Sequence, residues 1–161
     1  MVLVLNGCAN EEEGREPIDI VFDPCSPLQI RVESATASQR ADIQSGLAQW
    51  EREAGAQLEV TSSPDGDTPV VPVILDRAPH AFHGHYADED GVVYLNEDLR
   101  GTELSITMAH EIGHVFGLYH VPREEGASVM NPGNLVHTVQ SIDVDALREL
   151  WGACDPAPFL P

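Results

Sequence analysis

The chain has 161 residues, 27 of them acidic and 8 basic, and every basic one is arginine, giving a formal net charge of −19. That balance disfavours nucleic acid and anionic membrane surfaces as partners; it suits solubility or cationic peptides, and a merely solvated acidic surface explains it equally well. The length fits one domain with a sizeable core, and no apolar run approaches the ~18 residues of a transmembrane helix.

The first eight residues end in Leu5-Asn6-Gly7-Cys8, which resembles a bacterial lipobox with Cys8 as the acylated residue. The preceding Met1-Val2-Leu3-Val4 is too short for a complete signal peptide and lacks its positive charge. Residues 1–8 therefore read either as the remnant of a lipoprotein signal or as an accidental match. Residues 9–16, with Glu11-Glu12-Glu13-Gly14, read as an acidic tether that is disordered by composition. Residues 17–155 form the folded unit, and 156–161 a tail.

Pro17 to Asp23 is short, apolar and bounded by prolines, an arm or an edge strand. Leu28 to Glu33 alternates, with Leu28, Ile30 and Val32 on one side, which is the period of a half-buried strand. Thr36 opens a helix, Gln39 completing a capping box. Ile43, Leu47 and Trp50 form its buried stripe and Gly55 ends it. Gln57 to Thr61 is a second strand. Val70 to Leu75 is apolar enough for a central strand, although Pro72 argues for an edge or a bulge. Gly91 to Asn96 is the next strand. Thr102 is the expected N-cap of a helix running to about Phe116. Ser141 is the expected cap of a last helix, whose apolar side is Ile142, Val144, Leu147, Leu150 and Trp151 and which Gly152 closes.

The chemistry concentrates between His110 and His120. His110 and His114 stand four apart, on one helix face and one turn from each other, so both can reach one ion. Zinc takes imidazole nitrogens at about 2.0–2.1 Å, and a catalytic site keeps three protein ligands and one open position. His120 is the candidate third ligand. Six residues of straight helix would carry it about 9 Å past His114. Gly117 removes the difficulty, because glycine readily takes the positive φ that ends a helix and turns the chain back. Glu111 follows the first histidine and can lean toward the same ion without binding it.

This H-E-x-x-H-x-x-G-x-x-H pattern, followed by the methionine of Ser128-Val129-Met130-Asn131-Pro132, resembles the metzincin metallopeptidases and their Met-turn. The resemblance covers residues 26 to 152 and is closest to the matrixin-like branch. Pro79-His80-Ala81-Phe82 looks like the segment before that branch's edge strand, and the closing run from Ser141 to Gly152 like its final helix. The implied fold is α+β: a zincin domain with a twisted, mostly parallel sheet, an antiparallel edge strand, an active-site helix, a Met-turn and a C-terminal helix.

The resemblance also implies function: a zinc-dependent endopeptidase in which water acidified by zinc gives its proton to Glu111 as general base. Met130 is an apolar floor under the histidines rather than a ligand. An extended peptide or protein substrate would lie along an edge strand at Val92, Val93, Tyr94 and Leu95. An S1′ pocket would lie between the active-site helix and a wall from Pro132 to His137, with His137 a wall or surface residue. The expected molecule is a monomer, secreted or in the cell envelope, touching membrane only through a lipid at Cys8.

Several residues depart from the family pattern. Val121 stands where matrixins usually have serine. Tyr94 stands where vertebrate matrixins have a structural-zinc histidine. His80, His83 and His85 are candidates for a second metal or loop histidines at the cleft rim. Asp88-Glu89-Asp90-Gly91 offers oxygen ligands that suit calcium, or a solvated turn. Cys25 shares a thiol with the matrixin cysteine switch but not the flanking arginine and glycine. If Cys8 is acylated, Cys25 and Cys154 remain at the two ends of the domain, where a metzincin-like fold could bring them together as a disulfide; the alternative is a pair of buried free thiols in a cytosolic protein. The rival reading from another class is a non-catalytic, zinc-bearing surface module that binds peptides or proteins, which would have no need of Glu111.

Overall fold

The computed structural model describes residues 16–77 and 83–154. Cys8, the acidic tether up to Arg15, the run Pro79-His80-Ala81-Phe82 and the tail from Asp155 lie outside the described residues. Among those described, five strands form one sheet: β1 (Leu28–Glu33), β2 (Leu58–Thr61), β3 (Val70–Asp76), β4 (Gly84–Ala87) and β5 (Val92–Asn96). Their order is β2-β1-β3-β5-β4. Every pairing is parallel except the antiparallel one between β4 and β5. The helices are α1 (Ala37–Ala54), α2 (Gly101–Val115) and α3 (Ser141–Trp151).

Local chemistry sets these elements. In α1 the Thr36 hydroxyl accepts from the Gln39 amide while the Gln39 side chain accepts from the Thr36 amide, and Gly55 ends the helix at φ 73°. The first amide of α2 is satisfied from outside the helix. Gly101 donates to the Asp42 carboxylate of α1 at 2.8 Å, so the N-cap position falls to Arg100 and Thr102 does not cap. Similarly, the N-cap of α3 is Gln140, whose amide donates to Asp143 at 2.8 Å, and Ser141 is the first helical residue.

The core is the seam between sheet and helices. Ile30, Val71, Val73, Val93 and Leu95 meet Ile43, Leu47 and Trp50 of α1 and Leu104, Met108 and Ile112 of α2 in one buried cluster. The two helices approach closely at Gly46, where a Cβ would lie 2.4 Å from the Ser105 carbonyl. The Trp50 indole N–H donates to the Ala109 carbonyl at 2.8 Å, so this large side chain is buried without an orphaned donor.

Two further expectations need correction, and one pair of alternatives is decided. Val92–Leu95 is not an edge: β5 lies between β3 and β4, and Val93 and Leu95 are fully buried. The edge belongs to β4. A run rich in apolar residues suits a strand with neighbours on both sides, whereas the four-residue Gly84-His85-Tyr86-Ala87 suits a margin. Of the two readings of Pro17 to Asp23, the arm holds: the segment forms no strand and is anchored by the Phe22 amide on the Val115 carbonyl at 2.9 Å. Leu150 and Trp151 are exposed rather than part of the buried side of α3, which rests on Val144 and Leu147. Pro72 does sit in an interior strand. The pairing of β3 with β5 starts only at Val73, so the missing amide falls where β3 has β1 alone beside it.

Cys25 and Cys154 form a disulfide with their Cα atoms 4.9 Å apart across 129 residues of sequence. It ties the root of the arm to the end of α3 and leaves Cys25 no thiol for a cysteine switch. In the chain-entropy account such a loop contributes about 4–5 kcal/mol. The double variant Cys25→Ser/Cys154→Ser is expected to lose about 2–5 kcal/mol of unfolding free energy in a denaturant titration. A loss below about 0.5 kcal/mol would mean that the bond does not restrain the unfolded chain.

Candidate metal centre and active-site cleft

α2 carries His110, Glu111 and His114, and its ending delivers His120. Gly117 has φ 91°, its amide bonds the His114 carbonyl and the Leu118 amide bonds the Gly113 carbonyl, each at 2.9 Å. These two bonds are the Schellman termination of a helix. The reversal brings His120 back beside the helix. Its Nε2 lies 3.2 Å from that of His110 and 3.3 Å from that of His114.

Two backbone carbonyls orient the helical pair. Nδ1–H of His110 donates to Val129 O and Nδ1–H of His114 donates to Leu118 O, each at 2.7 Å. A carbonyl can only accept, so both Nδ1 atoms carry the hydrogen and both Nε2 atoms present a lone pair. Burial lowers the pKa of His110 and, helped by the neighbouring imidazoles, pushes that of His114 down to about 3. Both rings are neutral at pH 7. Lone pairs converging at this distance repel unless a cation lies between them, and tetrahedral zinc with nitrogens at 2.0–2.1 Å sets them about 3.3 Å apart. The donor set and its spacing fit zinc. Among the described residues this trio is the one group of three metal-capable side chains, their ligand atoms all within 4.8 Å of one another.

Glu111 is 4% exposed, and burial pushes its carboxyl up to about 8, partly opposed by a hydrogen bond from the Tyr86 amide. A dication beside it would pull the same carboxyl down. Gly84 of β4 makes room for it: a Cβ there would lie 2.6 Å from Glu111 Oε1 and 2.6 Å from Thr107 Cγ2. The carboxylate thus sits at the seam between α2 and the edge strand β4.

Met130 is fully buried against α2. A Cβ on Gly113 would lie 2.2 Å from its sulfur, so the glycine inside the histidine motif is a packing requirement. The turn around Met130 is held by Asp143 of α3, itself fully buried. The Ser128 hydroxyl donates to one carboxylate oxygen, and the Val129 and Gln140 amides donate to the other at 2.9 and 2.8 Å. Val129 therefore takes α3 on its amide and His110 on its carbonyl.

The histidines and Glu111 open into a cleft of about 410 Å³, which His83, His85, Tyr86 and Ile18 also line. Val92, Val93, Tyr94 and Leu95 do not line it. A second cavity, of about 380 Å³, continues past Gly133 and Asn134 along Arg123, Leu135 and Val136, with His137 on its wall. His83 and His85 sit at the rim and join no second metal-capable trio among the described residues. The calcium reading gains no support. Asp88 to Gly91 is the turn between β4 and β5, and Asp88 accepts the Asp19 amide at 2.8 Å. Gly84, Tyr86, Asp143 and Ile18 were not legible as site residues; no spacing rule links them to the histidine motif.

No family model matches the chain, and no curated protein matches it. Among solved structures, that of Myroilysin superimposes with a TM-score of 0.59 at 13% identity, covering 81% of this chain and 82% of that one. At that identity the likeness concerns the fold alone. The five-stranded, mostly parallel sheet and three helices are consistent with a metzincin-like architecture.

Gly84→Ala is expected to displace the Glu111 carboxylate or lift β4 off α2. Zinc content should stay near wild type while peptide hydrolysis falls more than tenfold, a 1 Å misplacement being enough for such losses. Unchanged hydrolysis would show that the Glu111–Gly84 contact is dispensable.

Proposed function

We propose that the protein is a zinc-dependent endopeptidase of metzincin type, nearest in motif to the matrixin-like branch, acting on extended peptides in an oxidising, extracellular or cell-envelope setting. The observation that carries this is three converging imidazole nitrogens with a buried carboxylate beside them in an open cleft. Zinc held by His110, His114 and His120 would supply a Lewis acid that lowers the pKa of water and polarises a carbonyl oxygen.

The chain's own residues do the rest. Glu111 accepts the proton of the attacking water and passes it to the leaving amine. The Tyr86 amide and the space over Gly84 hold that carboxylate on the α2 side of β4. Among the described residues β4 has a strand on one side only, so its outer edge can take an extended peptide as a further strand, placing the scissile bond near Glu111. This moves the substrate from β5, where the sequence reading put it, to β4. The disulfide supports the setting, since such bonds persist in oxidising compartments.

Glu111→Gln is expected to keep one zinc per chain by atomic absorption and to lose about 10²–10⁴-fold in casein or peptide turnover. His120→Ala should lose both metal and activity. Near-normal turnover in Glu111→Gln would remove it as the general base. A zinc-loaded wild type that cleaves no peptide would favour the binding-module reading instead.

A further inference from the structure

The arm before β1 runs beside the cleft, which its Ile18 lines, and is fastened at several points. The Phe22 amide bonds the end of α2 through Val115 O at 2.9 Å. The Tyr86 hydroxyl donates to Ile20 O at 2.7 Å, and the Asp19 amide donates to Asp88 at 2.8 Å, both on the β4–β5 hairpin. Nearer the start of the arm the Tyr119 hydroxyl, next to His120, donates to Glu16 O at 3.3 Å. Burial raises the Tyr86 phenol to about 12, so it stays a donor. Ile18 lies between these anchors, half-buried, and lines the cleft.

The composition of the lining makes Ile18 notable. The described residues around the cleft are the three ligands, Glu111, His83, His85, Asp88, two glycines, Asn134, Thr107 and two tyrosines, with Ile18 the one aliphatic hydrocarbon side chain. Exposed Tyr119, which holds the arm at Glu16, lines the same cleft. An aliphatic side chain held in the cleft lining by a fastened arm is how a pocket acquires a preference for an apolar side chain.

Direction follows from β4, which runs from Gly84, beside Glu111, toward Asp88, beside the arm. Antiparallel pairing is the more stable per residue. A peptide laid antiparallel on β4 therefore runs from the arm toward Glu111. We propose that the arm is a wall of the substrate cleft and that Ile18, with Tyr119, forms an apolar subsite for a side chain on the N-terminal side of the scissile bond. This rests on the peptidase reading above and names the substrate feature that the same cleft selects.

The test is cleavage of a peptide library randomised on both sides of the scissile bond by the zinc-loaded full chain, its Ile18→Ala variant and its Ile18→Glu variant. Wild type should prefer an apolar residue at one position N-terminal to the cut. Ile18→Ala, which adds no charge, should flatten that preference about tenfold in kcat/KM, and Ile18→Glu should turn it toward arginine and lysine. Unchanged profiles, or changes confined to the C-terminal side, would overturn the subsite while leaving the peptidase reading in place. A zinc-loaded wild type that cleaves nothing would overturn both.

Discussion

The cleft depends on the chain reversing at Gly117. Two histidines one turn apart offer only two ligands, and a third six residues on is out of reach along a straight helix. The positive φ at Gly117 closes the Schellman bonds, and the turn does two things at once. It returns His120 to the helix, and it aims the Leu118 carbonyl at His114 Nδ1. The residue that ends the helix thus helps select the tautomer of the ligand before it. A side chain at 117 would be strained by its φ and would press on Val21, 3.3 Å from the added Cβ.

The other helical ligand is fixed from further away. His110 is oriented by the Val129 carbonyl, Val129 by the Asp143 carboxylate, and Asp143 sits in the first turn of α3. A buried carboxylate is costly unless hydrogen-bonded, and this one accepts from a hydroxyl and two amides. No described buried side-chain nitrogen or oxygen lacks a partner. The glycines at 46 and 113 complete the support from the other side, letting α1 and Met130 approach α2 closely. His110 and His114 are held by packing and by carbonyls that are themselves held.

What the sequence made legible was the chemistry that repeats at fixed intervals. The i, i+4 histidines, the glycine turn, the returning His120 and the α1 capping box depend on short-range geometry, and all stand as read. The pairing of Cys25 with Cys154 was one of two open readings, and the Cα separation decides it. What failed depends on distant partners. Val92–Leu95 reads like a sheet margin only until its neighbours are known, and β4 carries too few apolar residues to announce itself as a strand. Thr102 loses its capping role to Asp42, sixty residues earlier in the chain, for the same reason. Gly84 matters through a Glu111 oxygen that no local pattern points to, and the arm matters through anchors on two separate loops.

The central claim is that His110, His114 and His120 together hold one zinc ion. X-ray absorption at the zinc edge, on the full chain with its metal content measured in parallel, tests it most directly. One zinc per chain with three imidazole nitrogens at about 2.0–2.1 Å and a fourth position taken by a solvent oxygen is the predicted result. A coordination shell with two or fewer imidazoles, or a chain that retains no stoichiometric zinc, would contradict it.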